Sequence, residues 1–138
     1  MNALAAALYG RLTATPALTA LLATPTSVYS RRVPQRAAYP AVLFAKQSGV
    51  DDNDNPHRAR QLVYLVKAIV ADADGVSGAT VGAIDDQIDA ALHLQPLVVA
   101  GWTNVWLARE SDVDYEEDAP GGKRFWHAGG LYRIRLAR

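Results

Sequence analysis

The sequence predicts an α+β fold in which a mainly antiparallel sheet packs against two to three helices, in the order α-α-β-β-β-α-β-β. Three observations carry that prediction. Leucines spaced four apart open the chain, and a second helical stripe stands alone between residues 81 and 92. Between and after them come apolar segments of strand length, separated by polar turns. No repeat and no linker divides the 138 residues, so 1–138 is expected to form one domain.

Leu4, Leu8 and Leu12, with alanines between them, form the stripe of an amphipathic helix, which Gly10 weakens without forbidding. Thr15 reads as an N-cap and Pro16 as the first residue of a second helix carrying Leu18, Leu21 and Leu22 on one face. Val28-Tyr29-Ser30 is short and β-prone. Tyr39-Pro40 imposes an extended entry into a strand over Ala41 to Lys46. Gly49 to Pro56, rich in Asp and Asn, reads as a loop. From Arg60 to Ala71, Leu62, Tyr64, Val66, Ala68 and Val70 share one face while Val63, Leu65 and Ile69 fall on the other. A strand apolar on both faces is expected to be central, with helices on one side and a second cover, such as a neighbouring subunit, on the other. Gly75 to Gly78 reads as a turn. Val81, Ile84, Ile88, Ala91 and Leu92 mark the third helix, with Asp85, Asp86 and Asp89 outward, and Pro96 lies beyond its end. Two strands follow, Trp102 to Ser111 and Phe125 to Leu136, joined by a charged turn. In the last strand Tyr132, Ile134 and Leu136 alternate with Arg133 and Arg135, as in a half-exposed strand.

Half of the residues are hydrophobic and a fifth are charged, the composition of a folded globular protein. Fourteen basic side chains balance fourteen acidic ones, so the formal net charge is zero. That balance supplies no long-range attraction to nucleic acid or to an anionic membrane, and no specific nucleic-acid binding is expected. It also removes a self-repulsion that opposes assembly. Cysteine is absent, which excludes disulfides, thiolate nucleophiles and cysteine-ligated metals. The apolar start, Met1 to Leu12, lacks a basic signal-peptide region, and no run approaches the roughly 18 apolar residues of a membrane span. The protein is expected to work in solution.

Several segments invite a chemical reading and fail it. Asp51-Asp52-Asn53-Asp54-Asn55-Pro56 is rich in oxygen ligands, but an EF-hand counted from Asp51 needs Gly where Pro56 stands and Glu where Leu62 stands. A solvated hairpin tip explains it better. His57, His93 and His127 have no triad or ligand partner at a diagnostic spacing. Gly121-Gly122-Lys123-Arg124 lacks both the first P-loop glycine and the hydroxyl after lysine. Gly129-Gly130, inside the last strand, points to a bulge or a close backbone approach. No catalytic residue, cofactor or metal is expected.

The distribution of charge says more than its sum. Glu110, Asp112, Asp114, Glu116, Glu117 and Asp118 follow one another without a base. The bases gather at Arg31, Arg32 and Arg36, at Arg58, Arg60 and Lys67, and at Lys123, Arg124, Arg133, Arg135 and Arg138. Solvated loops would account for this, but so would acidic and basic edges that meet between subunits and fix their register. The interface candidates are Asp51, Asp52, Asp54, His57, Arg58 and Arg60 in one loop, and Asp114, Glu116, Glu117, Asp118, Lys123 and Arg124 in the other. Trp102, Trp106 and Trp126 are expected to cluster in the C-terminal hairpin, as core or as interface anchors.

Over nearly its full length the chain resembles the tail-terminator, or tail-completion, proteins of long-tailed phages. LAAALYGRLTATPALTALL, VYSRRVPQRAAYPAVLF, PHRARQLVYLVKAIV, AIDDQIDAALH, GWTNVWLARESDVDYEED and RFWHAGGLYRIRL carry the likeness in that order. Ala23-Thr24-Pro25-Thr26-Ser27 departs from the tighter glycine-bearing turn expected before VYS. The resemblance implies a structural virion protein of the tail or neck, assembled in the host cytoplasm, and no catalytic residue. It implies a homo-oligomeric ring, typically of six subunits, that caps the tail tube and ends its polymerisation. The partners implied are the tail tube protein on one face and a head-side connector or stopper on the other. Another neck or head-completion protein, or an unrelated small binding domain, remain as alternatives.

Overall fold

The leucine stripe at the start of the chain becomes the base of the core. Leu4, Leu8 and Leu12 of helix α1 (Asn2–Thr13) are fully buried, each contributing about 2 kcal/mol of apolar transfer. The computed structural model describes residues 1–72 and 77–138. Pro16 opens α2 (Pro16–Thr19), a single turn that buries Leu18 and leads to buried Leu22, while Leu21 is exposed. Thr15 occupies the N-cap position, but its hydroxyl donates to the Arg11 carbonyl at 2.8 Å instead of capping the turn. The segment that departs from the expected glycine turn is closed by hydroxyls. The Thr24 N–H donates to Ser27 Oγ at 3.0 Å, and the Ser27 N–H to the Thr24 carbonyl at 3.1 Å.

One five-stranded sheet follows, built from β1 (Val28–Ser30), β2 (Ala41–Asp51), β3 (Ala59–Ala71), β4 (Thr103–Ala119) and β5 (Lys123–Ala137). Its order is β1-β2-β3-β5-β4, with only β1 and β2 parallel. The strand apolar on both faces, β3, is indeed central. Helix α3 (Ser77–Leu92) lies between β3 and β4 in the chain and buries Val81, Ile84, Ile88, Ala91 and Leu92. The helices cover one face only. Leu62, Tyr64, Val66, Ala68 and Val70 point into that core with Tyr132, Ile134 and Leu136 of β5. On the opposite face Val63, Leu65 and Leu131 are half-buried, and Lys67, Ile69 and His127 are buried.

The strands are longer than their sequence suggests. The polar loop expected from Gly49 begins only after Asp51, because Gly49, Val50 and Asp51 pair with Leu62, Gln61 and Arg60. The charged turn before Phe125 shrinks to residues 120–122, since Asp112 to Ala119 pair with Gly130 to Lys123. Backbone pairing with β5 overrides the weak strand preference of Asp and Glu. Gly121 and Gly122 take φ of +81° and +74°, so glycine is what permits the tight turn. Of the turn expected at Gly75 to Gly78, Gly75 and Val76 lie outside the described residues, and Gly78 belongs to α3. The three tryptophans do not cluster. Trp102 and Trp106 lie at one end of the hairpin, Trp106 opposite Arg135, whereas Trp126 pairs with Val70 near the other end.

Candidate assembly surface

Two polar tips, at opposite ends of the long strands, gather the candidate residues. β3 and β5 pair without a register shift from Ala59–Ala137 to Ala71–Phe125, and the 13 residues of β3 span roughly 40 Å. The β2–β3 connection projects at one end of that span and the β4–β5 turn at the other.

At the first tip Asp51 is 3.1 Å from Arg60 and 3.9 Å from Arg58. Asp52 accepts from Gln61 and from Arg135 Nε, both at 3.0 Å. Those two hydrogen bonds, Gln61 first, hold its carboxyl below the usual Asp range. Asp54 and His57 exchange backbone hydrogen bonds that fold the loop back on itself. At the second tip Arg124 reaches Asp118 at 3.0 Å and Glu116 at 3.6 Å, and these acids raise its pKa. Lys123 and Asp114 are exposed and join no ion pair among the described residues. The tips are thus charged mosaics held in shape by their own short-range pairs. Such exposed pairs add little stability but leave a fixed pattern of charge for a partner to read.

Two polar clusters between the tips escape sequence reasoning. On the helix side, Arg109 of β4 holds Asp85 of α3 with two bonds, 2.8 and 3.0 Å. It also donates to Asp112 at 3.0 Å, to Tyr132 Oη at 3.3 Å and to the Gly129 carbonyl at 2.8 Å. Tyr132 Oη in turn donates to Asp89 at 3.2 Å. The Asp85 contact raises the Arg109 pKa, and burial raises that of Tyr132, so the pair stays cationic and neutral at any physiological pH. His93, at the end of α3, accepts from the Arg109 N–H through Nδ1 at 3.0 Å. Two of the five hydrogen bonds of this guanidinium clamp α3 to the sheet, and the other three fix it against β4 and β5.

On the opposite face Lys67 donates to Tyr115 Oη at 2.5 Å, and Tyr115 stacks on His127 with ring centroids 4.3 Å apart. His127 is 4 % exposed, and neither ring nitrogen finds a hydrogen-bond partner among the described residues. Burial, then the Lys67 charge, lowers its pKa, while Glu117 at 3.6 Å opposes the shift. Gly129 and Gly130 make both clusters feasible, as the close approach expected there. A Cβ on Gly129 would fall 2.2 Å from the Val66 carbonyl oxygen, and one on Gly130 2.7 Å from Arg109 Nε. The glycine pair was the legible signal of these clusters; the partner it makes room for was not.

His57 sits at the first tip, His93 on the helix side and His127 on the other face, so the sheet keeps the last two apart. Among the described residues no group of three or more His, Cys, Asp or Glu is placed to hold a metal ion. No helix among them is long and apolar enough to cross a membrane.

No curated protein matches the chain. Among solved structures, a chain of the "Virion of native gene transfer agent (GTA) particle" shares its fold, with a TM-score of 0.77 and 23 % identity. The match covers 99 % of this chain and 96 % of that one. A family model matches residues 6–135 and takes in all three helices and all five strands in whole or large part. The chain belongs to the family described as Tail completion protein gp17, and it is a structural tail protein.

Proposed function

We propose that the protein forms a closed ring, of six subunits, that caps the end of the tail tube, stops its polymerisation and presents the surface to which the head is joined. Family membership supports the tail role. The observation that carries the finer reading is the placement of two differently built polar tips at opposite ends of a sheet roughly 40 Å long. A terminator needs two unlike ends. A tube of stacked rings grows through a contact that never closes along its axis, so whatever stops it must match the tube on one face and offer no copy of that face on the other. One tip of Asp51, Asp52, Arg58 and Arg60 and another of Glu116, Asp118, Lys123 and Arg124 meet that need. The protein acts as one unit over residues 1–138, through its surfaces, without a cofactor and without turnover. Its partners are other copies of itself, the tail tube protein and a head-side connector or stopper.

Electron micrographs of particles made without this chain test the proposal. The expected result is tubes of uncontrolled length that do not join heads. Tails of normal length beside leaking or empty heads would assign the chain to the head side instead.

A further inference from the structure

The two edges of the sheet carry opposite charge. Residues 1–50 contain five bases and no acid, and three of the bases, Arg31, Arg32 and Lys46, lie on or directly after the strands of the β1–β2 edge. Strand β4 forms the other edge and carries six acids against one base, Arg109. The opposition is also matched in layer. Lys46 pairs with Tyr64, whose ring lies in the helix-side core, so Lys46 is on the helix side of the sheet. It lines a groove of about 510 Å³ with Arg31, Met1 and Tyr64. Asp112, Asp114 and Glu116 pair with Gly130, Ala128 and Trp126, which places all three on the helix side as well.

The basic edge is not neutralised within the chain and the acidic edge only in part, since Glu110 pairs with Arg133, Glu116 and Asp118 with Arg124, and Glu117 lies beside His127. Arg31, Arg32 and Lys46 are exposed and join no ion pair among the described residues. Asp114 joins none either, and the Asp112 side chain is 84 % exposed beyond its contact with Arg109. The backbone is open at both edges too. β1 covers only Val42 to Phe44 of β2, and β4 has β5 on one side and no strand on the other among the described residues. Bulges at Asn104/Trp106 and Arg109/Ser111 and the row of acids keep β4 from pairing with a second β4. The β1–β2 edge is likewise closed to a second β1–β2 edge by its bases.

From this arrangement we infer that neighbouring copies meet head to tail, the acidic helix-side edge of β4 in one subunit docking on the basic edge of Arg31, Arg32 and Lys46 in the next. Two like edges repel, so an isologous dimer is disfavoured, and the same contact repeated around an axis closes a ring. A chain with zero net charge but unlike edges is what such a contact requires. The inference rests on the ring reading above, supplying the lateral contact where the tips supply the axial ones.

The absence of cysteine allows a direct test. Asp114→Cys and Arg32→Cys are introduced singly and together, and the proteins are added to purified tail tubes under mild oxidation. The double variant gives a ladder of covalent multimers ending at the ring number, and each single variant stays monomeric on a non-reducing gel. In a second arm, copies with Asp114→Lys, or with Arg32→Glu and Lys46→Glu, each form rings at about a tenfold lower yield. Mixed in equal amounts they restore the wild-type yield, because reversed edges match when the two copies alternate. That recovery also shows that both variants fold. Rings on tube ends without a ladder, dimers from either single variant, or charge variants that assemble unchanged overturn this contact and leave the terminator reading standing. Failure of the wild type to form any ring on tubes overturns the terminator reading and the contact with it.

Discussion

Gly129 faces Lys67 across the β3–β5 pairing, and no side chain fits there. A Cβ would meet backbone, the Val66 carbonyl oxygen and Lys67 Cα, at 2.2 and 2.4 Å. Gly129→Ala is therefore expected to lower stability by about 2 kcal/mol or more, measured by urea denaturation, whereas Gly121→Asn at the turn costs less because Asn tolerates positive φ. His127 makes stability depend on pH. Its folded pKa lies below the ordinary value near 6.5, so the neutral ring is the stable form in the fold, facing Lys67, Tyr115 and Glu117. The unfolded chain then binds the proton more readily. The contribution is complete above about pH 6.5 and is lost as pH falls from there toward the folded pKa. The melting temperature of wild type is expected to fall more between about pH 7.5 and 5.5 than that of His127→Gln; parallel slopes would contradict this. At this scale the sequence was half legible. A glycine pair inside a strand announces a close approach, but the residue it admits comes from another strand, and only the register names it.

Among the elements, α1 and β3 were the most legible, because their periodicity matches what they bury. The acidic run was the least. Asp and Glu disfavour strands and suggest a turn, yet seven successive residues from Asp112 to Asp118 extend β4 alongside β5. Non-local pairing decided what local preference could not. The clamp between α3 and the sheet was hidden for the same reason, since Arg109 and Asp85 are 24 residues apart. Replacing Arg109 by Ala leaves Asp85 and Tyr132 Oη without that partner and is expected to cost about 2 kcal/mol. Asp112→Ala, which removes only a mostly exposed partner of the same guanidinium, is expected to cost about 0.5 kcal/mol or less. Thermal unfolding of both variants separates the two. The tips make a further prediction about elements. Reversing Asp51 and Asp52 to Lys should impair one joining step, to tube or to head, and reversing Glu116 and Asp118 the other. Binding of each variant to purified tubes and to tailless heads shows whether the losses segregate; both variants losing both steps would argue against axial roles for the two tips.

For the whole molecule, zero net charge conceals a strongly polar distribution: bases at one edge of the sheet, acids at the other, and a self-paired mosaic at each end. The resemblance of ordered segments reached the tail family without the structure, because it depends on element order and flavour. The surfaces that would do the work depend on which strands lie at the edges, and strand order is not written in periodicity. The measurement that bears most directly on the account is electron microscopy of growing tail tubes to which the purified protein is added, with the number of subunits per tube counted by mass. The account predicts that growth stops and that each tube carries one closed ring of this chain at a single end. Tubes that lengthen unchanged, or that bind the protein along their walls, would contradict it.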